Sequence, residues 1–121
     1  MNTETARTGR IIGCAIAVSD ILGSGFLEKV YETALSHDLR KAGFAVETQK
    51  AFSVLYDGIV VGEYRADLIV DGSVIVEVKA TKAIDPTHQA QLLNYMKATG
   101  LKVGLILNFG TPRVGIKRLM R

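Results

Sequence analysis

The chain has 121 residues with a net charge of +3, and 48% of the residues are hydrophobic, which predicts one compact domain over residues 1–121. No apolar run approaches the ~20 residues of a membrane span, and the N-terminal segment has no secretory pattern, so we expect a cytoplasmic protein without membrane contact. Cys14 is the single cysteine, which excludes an internal disulfide and a cysteine-ligated metal cluster.

Two helices are predicted first, over residues 5–22 and 26–42. Apolar residues recur in both at helical spacing, and the Gly-Ser-Gly break at residues 23–25 separates them. The apolar stripe of the first helix is wide for the surface of a small domain. This predicts that the helix buries more than one face, for instance in a homodimer.

Extended segments follow at residues 45–56, 59–70 and 73–80, joined by Asp-Gly turns. A helix is predicted between Asp85 as its N-cap and Gly100 as its C-terminal end. The very apolar segment 102–109 is predicted to be an inner strand, and residues 115–119 a last short one. Because a helix joins strand 73–80 to strand 102–109, these two are expected to be parallel. The order α-α-β-β-β-α-β predicts an α/β fold with a mixed sheet flanked by helices.

Charged residues interrupt the apolar strands at Asp67, Glu77 and Lys79. Charged side chains are rarely buried unless they are paired or bind a metal. Glu77 and Lys79 share a face of their strand, because side chains alternate along it. Asp67 joins that face only if the connecting loop has an odd length. The odd-length loop 70–72 would place Asp67 opposite Ile75 and diagonal to Glu77, whereas an even-length loop would separate the carboxylates.

Two interpretations of this charged cluster remain open at this point. Two carboxylates suit Mg²⁺, which takes oxygen ligands and retains water and substrate phosphate in its shell. A neighbouring lysine can then stabilise the charge that develops on a phosphate. Alternatively, Lys79 forms a structural ion pair with Glu77 or Asp67.

A polar row on the helix after the strands adds to the cluster. His88, Gln91 and Tyr95 lie at positions i, i+3 and i+7, so they share one face that reaches the carboxylates if the helix packs on the sheet. Each also has an ordinary explanation. His88 is then a surface or helix-end residue, and Gln91 a half-buried polar one.

The second helix begins with G-x-x-E-x-x-Y, formed by Gly25, Glu28 and Tyr31. Glu28 lies one turn before Tyr31, at the edge of the apolar face. The ordinary explanation is that Glu28 is a first-turn acid favoured by the helix dipole.

In order, these elements resemble the PD-(D/E)xK nuclease superfamily, and most closely its small bacterial GxxExxY family. The resemblance is carried by GFLEKVYETAL, GEYRADLIV, VIVEVKA, HQAQLLNYMKATG and VGLILNFG, over residues 23–110. The spacing Q-x-x-x-Y of Gln91 and Tyr95 is similar to that of RecB-like exonucleases. One departure is Ala66 before Asp67, where the superfamily often has proline.

The resemblance implies a restriction-endonuclease-like core and the roles of its residues. Asp67 and Glu77 would be metal ligands and Lys79 the catalytic lysine, with Gln91 also at the catalytic site. Glu28 would be an additional acid near the metal. The remaining residues would support the site or touch the nucleic acid, namely Tyr95, His88 and Tyr31.

The function expected from this resemblance is a hydrolase, a DNA-binding nuclease dependent on Mg²⁺ or Mn²⁺. Metal-activated water would attack the scissile phosphate of DNA. The alternatives are a nucleic-acid-binding module that keeps the fold without cleavage, and a protein-interaction module in which the cluster is an ion network. So small a core would need a dimer or a partner protein to choose its target.

Overall fold

In a computed structural model, residues 3–121 are described. The elements, in chain order, are α1 (Thr3–Leu22), α2 (Glu28–Lys41), β1 (Val46–Tyr56), β2 (Ile59–Val70), β3 (Val74–Lys79), α3 (Pro86–Thr99), β4 (Val103–Asn108) and β5 (Gly115–Met120). The predicted order of elements is confirmed, including the last short strand. No helix within residues 3–121 combines the length and the apolar character needed to cross a bilayer.

The strands form one five-stranded sheet in the order β1-β2-β3-β4-β5. β3 and β4 are parallel and the other neighbours are antiparallel, so the predicted mixed sheet is confirmed. α3 is the crossover between the parallel strands. Its N-cap Asp85 accepts a hydrogen bond from the His88 backbone, and Gly100 ends it in the left-handed conformation, as expected.

Helices cover both faces of this sheet. α1 and α2 pack on one face and form the larger core, which includes Ile11, Leu35 and Leu105. α3 covers the other face with a smaller core, in which Leu92 and Met96 are fully buried. We call these the α1/α2 face and the α3 face.

The loop between β2 and β3 has the expected odd length but not the expected position. It comprises residues 71–73 and Val70 pairs with Val74, whereas the sequence predicted a loop at 70–72. Asp71 and Gly72 have φ of 54° and 63°, and the Ser73 N–H donates to the Val70 carbonyl at 3.0 Å. The turn therefore closes from Val70 to Ser73.

This register decides how the two carboxylates meet. Leu68 pairs with Val76 and Ile69 with Ile75. Asp67 and Glu77 are the next residues of the two strands, at the point where the pairing ends. The expected diagonal arrangement, with Asp67 opposite Ile75, is therefore wrong, but the two acids do meet.

β1 and β2 extend well beyond the rest of the sheet. β3 pairs only with residues 68–70 of β2, while β1 pairs with β2 along nearly its full length. The protruding part of this hairpin carries exposed apolar side chains, namely Leu55, Tyr56, Ile59, Val60 and Val61. This protruding part of the hairpin forms one wall of a groove that lies outside the core.

α1 buries one face and leaves apolar residues on another. Ile11, Ala15 and Val18 are buried in the core, whereas Ile16 and Ile21 are 44% and 79% exposed. Cys14 is half-buried against the same core. The homodimer through this helix stays a prediction.

Candidate active site

The carboxylate pair lies where the ladder between β2 and β3 ends. The Asp67 Oδ2 atom accepts a hydrogen bond from the Val78 N–H at 2.8 Å, so this carboxylate takes the place of a backbone partner. Glu77 is 5% exposed, and its Oε1 atom is buried without a hydrogen-bond partner. Burial first, and then the charge of Asp67, raise the pKa of Glu77 from 4.5 to about 9.

This arrangement fits a hard divalent cation. A buried polar atom without a partner is costly, and two facing carboxylates repel each other unless a proton or a cation lies between them. Across residues 3–121, no group of three or more His, Cys, Asp or Glu side chains is arranged to hold a metal. The protein would therefore supply the two carboxylates of Asp67 and Glu77. That leaves room for water and substrate in the shell, as Mg²⁺ sites often do.

Lys79 follows Glu77 on β3 and is half-buried. Its charge is close enough to oppose the rise in the Glu77 pKa. Yet none of the ion pairs within residues 3–121 joins Lys79 to Glu77 or to Asp67. The structure therefore offers no support for a structural ion pair at this point and leaves the ammonium group available to a substrate.

The end of β3 is fixed by Asn108 at the end of β4. The Asn108 side chain accepts from the Thr81 N–H at 2.9 Å and donates to the Thr81 carbonyl at 3.0 Å. The Phe109 N–H donates to the Lys79 carbonyl at 2.8 Å. These bonds hold the backbone on both sides of Ala80. They therefore fix the backbone position from which the Lys79 side chain extends.

Two residues of the site were missed from the sequence, Glu32 and Gln49. The Gln49 Nε2 group donates to Glu32 Oε1 at 2.6 Å and to Asp67 Oδ1 at 3.2 Å. One amide therefore connects the carboxylates of Glu32 and Asp67. Gln49 has φ of 49°, a left-handed conformation that costs energy in a residue with a Cβ. Gln49 has no partner residue in the ladder with β2, between the paired residues Thr48 and Lys50, so it marks an irregularity of β1.

Glu32 had a signal in the sequence. It lies three and seven residues before Leu35 and Leu39, on the stripe that α2 buries, and it is 5% exposed. A glutamate at a core position of a helix indicates a partner, here Gln49 and Lys29. Glu28, the predicted acid, is exposed one turn earlier, and within residues 3–121 its side chain makes no hydrogen bond or ion pair. Its role as a metal ligand stays a prediction.

Tyr31 is fully buried and stacks on Phe109, with ring centroids 4.8 Å apart. Its hydroxyl donates to the Gly23 carbonyl at 2.6 Å and accepts from the Phe26 N–H at 3.1 Å. A ring without exposed surface cannot contact a nucleic acid. Of the two roles predicted for Tyr31, only that of a support for the α1–α2 connection agrees with its burial.

His88 closes the N-terminus of α3. Its backbone N–H donates to Asp85 Oδ1 at 3.1 Å, and its Nδ1 atom accepts from the Asp85 N–H at 3.2 Å. The hydrogen bond from the His88 backbone lowers the pKa of Asp85. These contacts match the helix-end alternative for His88, and its contact with nucleic acid stays a prediction.

Tyr95 packs against the smaller core, which contains Ala66 and Ile75, the strand neighbours of the two carboxylates. Burial first, and then the charge of Glu77, raise the pKa of the Tyr95 hydroxyl. Gln91 is exposed, and its Nε2 group donates to the Tyr95 hydroxyl at 3.2 Å. Gln91 is therefore connected to the site through Tyr95. Leu92 and Met96 flank this row and are fully buried in the core.

Comparisons with solved structures show a nuclease-like fold. Similar chains include SSO0001, at TM-score 0.57 and 21% identity over 77% of this chain and 50% of that one. The alkaline exonuclease LHK-Exo from Laribacter hongkongensis matches at TM-score 0.54 and 13% identity, over 88% of this chain and 76% of that one. This chain thus spans about half the length of SSO0001. The predicted restriction-endonuclease-like fold is confirmed.

Sequence comparison gives the family. No curated protein is significantly similar to this chain. The family model of the PD-(D/E)XK nuclease superfamily matches residues 5–119, which include Asp67, the E-x-K of Glu77 and Lys79, and the helix of Gln91 and Tyr95. The chain belongs to the PD-(D/E)XK nuclease superfamily.

Proposed function

We propose that this protein is a metal-dependent deoxyribonuclease that hydrolyses phosphodiester bonds with Mg²⁺ or Mn²⁺. One observation carries the proposal: the buried, unpartnered Oε1 atom of Glu77 beside Asp67, in a chain of a nuclease superfamily. A structural carboxylate would be expected to have found a partner during folding. A carboxylate that binds a cation keeps that oxygen free.

Asp67 and Glu77 would hold the cation. When bound, a divalent cation supplies positive charge that lowers the pKa of a water nucleophile and neutralises the phosphate. The protein orients Asp67 with the Val78 N–H and the Gln49 amide. Lys79 donates to the phosphate oxygens as negative charge develops on them, a role in which a fixed ammonium group lowers the barrier.

The finer family assignment is part of this proposal. Gly25, Glu28 and Tyr31 keep the spacing of the GxxExxY family, and Glu28 is the additional acid near the metal in that assignment. Glu32, one turn further along α2, already bonds to Gln49 and thus to the carboxylate of Asp67 through one amide. We propose DNA as the partner, and the exonuclease named among the similar structures supports a nuclease-type reaction.

In the decisive experiment, the pure protein is incubated with linear, circular and single-stranded DNA, in the presence of Mg²⁺, Mn²⁺ or EDTA. We expect products with either metal and none in EDTA. Lys79→Ala should remove the products, while Lys82→Ala, which changes an exposed lysine after the strand, should not. DNA binding without any metal-dependent product would instead support a non-catalytic module with the same fold.

A further inference from the structure

A groove lies along α3 and is lined there by Gln91 and Tyr95, the α3 residues of the candidate active site. It lies between this helix and the protruding β1–β2 hairpin and has a volume of about 880 Å³. Its walls include Ser53, Leu55, Val61, Tyr64, Asn94 and Tyr95. Tyr95 lines the groove and also packs against the apolar cluster that contains Ala66 and Ile75, the strand neighbours of Asp67 and Glu77. The groove and the carboxylates therefore lie on the same face of the sheet, with Tyr95 between them in the packing.

Aromatic rings are clustered at this groove. Phe52, Tyr64 and Tyr95 contact one another, with ring centroids 5.0 to 6.1 Å apart. Phe52 is half-buried, and Tyr64 is 47% exposed. Because the cluster is only partly covered by protein, it offers a ring surface on which a further flat group can stack.

The backbone at Gly62 allows the Tyr64 ring to lie where it does. A Cβ atom at Gly62 would be 3.1 Å from the ring carbon Cε2 of Tyr64. The ring thus packs directly over a residue without a side chain. This contact limits the motion of an exposed aromatic ring, which lowers the entropy lost when a ligand stacks on it.

The polar groups of the groove suit bases better than phosphates. Gln91 and Asn94 provide amides, Ser53 and Thr87 provide hydroxyls, and among the lining residues Lys97 alone carries a charge. Amides donate and accept hydrogen bonds at base edges. A surface that tracks a phosphate backbone would instead be lined by several lysines and arginines.

We propose that this groove binds unpaired bases of a nucleic-acid strand whose adjacent phosphate lies at Asp67 and Glu77. The proposal rests on the nuclease function proposed above and names the substrate as single-stranded. The faces of paired bases are covered by their neighbours in a duplex. Only unstacked bases can lie on Tyr64 and Tyr95, and such stacking tolerates any base.

The proposal is tested by measuring the binding of labelled oligonucleotides by fluorescence anisotropy, in Ca²⁺ and in EDTA. Gels confirm that the strands stay intact. Tyr64→Ala should weaken single-strand binding about tenfold, a typical effect of losing one stacked base, and leave blunt-duplex binding unchanged. Tyr56→Ala is the matched control, because Tyr56 is 74% exposed on the same hairpin and does not line the groove. It should bind like the wild type.

A second variant guards against a folding defect in Tyr64→Ala. Ala90 is an exposed residue of α3 that lines the groove, and Ala90→Glu adds bulk and negative charge there. Its control is Ala17→Glu, the same change on the exposed surface of α1. Ala90→Glu should lose single-strand binding, whereas Ala17→Glu should keep it. An abasic strand of equal length should bind the wild type about tenfold less tightly, as loss of a stacked base predicts.

The outcomes separate the two proposals. Wild-type binding by both Tyr64→Ala and Ala90→Glu, or equal loss of single-strand and duplex binding, would overturn the groove proposal alone. So would equal affinity for the abasic strand, since phosphates would then be the group recognised. A dimer of the wild type that Ala90→Glu dissociates, without any effect on oligonucleotides, would assign the groove to a second copy of the chain. Base-dependent binding without cleavage in Mg²⁺ would overturn the nuclease proposal and leave the groove as a base-binding site.

Discussion

The two faces of the sheet differ in how completely they are filled. On the α1/α2 face, apolar side chains from two helices form a continuous core up to the stacked rings of Tyr31 and Phe109. On the α3 face, the core is smaller and gives way to a buried carboxylate pair and an open groove. The first face mainly stabilises the sheet and contributes Glu32 to the site through Gln49, and the second face carries the candidate catalytic groups.

A single strand serves both faces. Along β3, Val74, Val76 and Val78 join the core under α1 and α2, and Ile75 joins the core under α3. Glu77 and Lys79 continue the alternation of Ile75. The candidate catalytic groups are therefore held by a strand whose other side is anchored in the larger core. If this view is correct, changes on the two faces should have separable effects on stability and on metal response.

The largest effect is expected for the pH dependence of stability, because the Glu77 pKa rises from 4.5 to about 9 on folding. The folded protein then binds more protons than the unfolded chain within this range, so the free energy of unfolding falls as pH rises. Thermal melting of metal-free protein should show a falling Tm between about pH 5 and pH 9, relative to Glu77→Gln. Mg²⁺ should raise the Tm of the wild type again at the alkaline end of this range and leave the Tm of Glu77→Gln unchanged. Parallel curves for the two proteins would show that Glu77 is not held in this way.

Lys79 should affect turnover without affecting the metal. Lys79→Ala should reduce cleavage by at least about 10²–10³-fold, the usual result of removing one fixed donor to developing charge. Because an ammonium group is not a metal ligand, the rise in Tm caused by Mn²⁺ should persist in Lys79→Ala and disappear in Asp67→Ala. The measurements are cleavage of labelled DNA and thermal melting during metal titration. If Lys79→Ala has a lowered Tm and the wild-type Tm does not change with added metal, the cluster is a structural ion network.

On the α1/α2 face, Leu35 should show the opposite behaviour. It is fully buried, so Leu35→Ala should lower the free energy of unfolding by about 2–5 kcal/mol through lost burial and a cavity. In buffer without urea, at temperatures below the melting transition, the metal concentration at the midpoint of the titration should be the same for Leu35→Ala and the wild type. Leu93, 38% exposed on α3, is the control, and Leu93→Ala should cost only about 0.5 kcal/mol. A shifted metal midpoint in Leu35→Ala would show that the faces are coupled.

The sequence predicted the elements and the charged cluster because both depend on local patterns. Apolar periodicity and Asp-Gly turns located the strands, and alternation along β3 paired Glu77 with Lys79. The exact register of the β2–β3 loop did not follow from those patterns. The Asp71 carboxylate accepts a hydrogen bond from the Ala45 N–H at 3.0 Å, a contact between residues distant in sequence that helps to fix the turn.

Gln49 and Glu32 were missed for a related reason. No propensity indicates that a glutamine adopts φ of 49°, because the conformation is set by tertiary contacts, such as the bonds of its side chain to Glu32 and Asp67. Glu32 was detectable from its place on the buried stripe of α2. The G-x-x-E-x-x-Y pattern instead predicts Glu28, one turn earlier, as the acid of α2.

The smallest effects are expected from one change, glycine to alanine, made on each face. Gly13 lies inside α1 with open space where a Cβ would be, so Gly13→Ala should stabilise the protein by about 0.5–1 kcal/mol. Gly104 on β4 faces α3, and a Cβ there would lie 2.8 Å from Met96 Sδ and 3.0 Å from Leu92 Cδ2. Gly104→Ala should therefore cost about 1–3 kcal/mol by overpacking.

The same pair of variants also tests whether the position of α3 matters to the site. The added methyl group would meet the ends of the Met96 and Leu92 side chains. If the packed core prevents these ends from changing rotamer, α3 moves outward and Tyr95 on that helix moves with it. Gly104→Ala should therefore slow cleavage under conditions where both variants are fully folded, although Gly104 touches no substrate. Gly13→Ala should cleave at the wild-type rate. Urea unfolding gives the two free energies and initial rates on labelled DNA give the activities. An active, destabilised Gly104→Ala would mean either that the Met96 and Leu92 side chains absorb the methyl group or that the site tolerates a displaced α3.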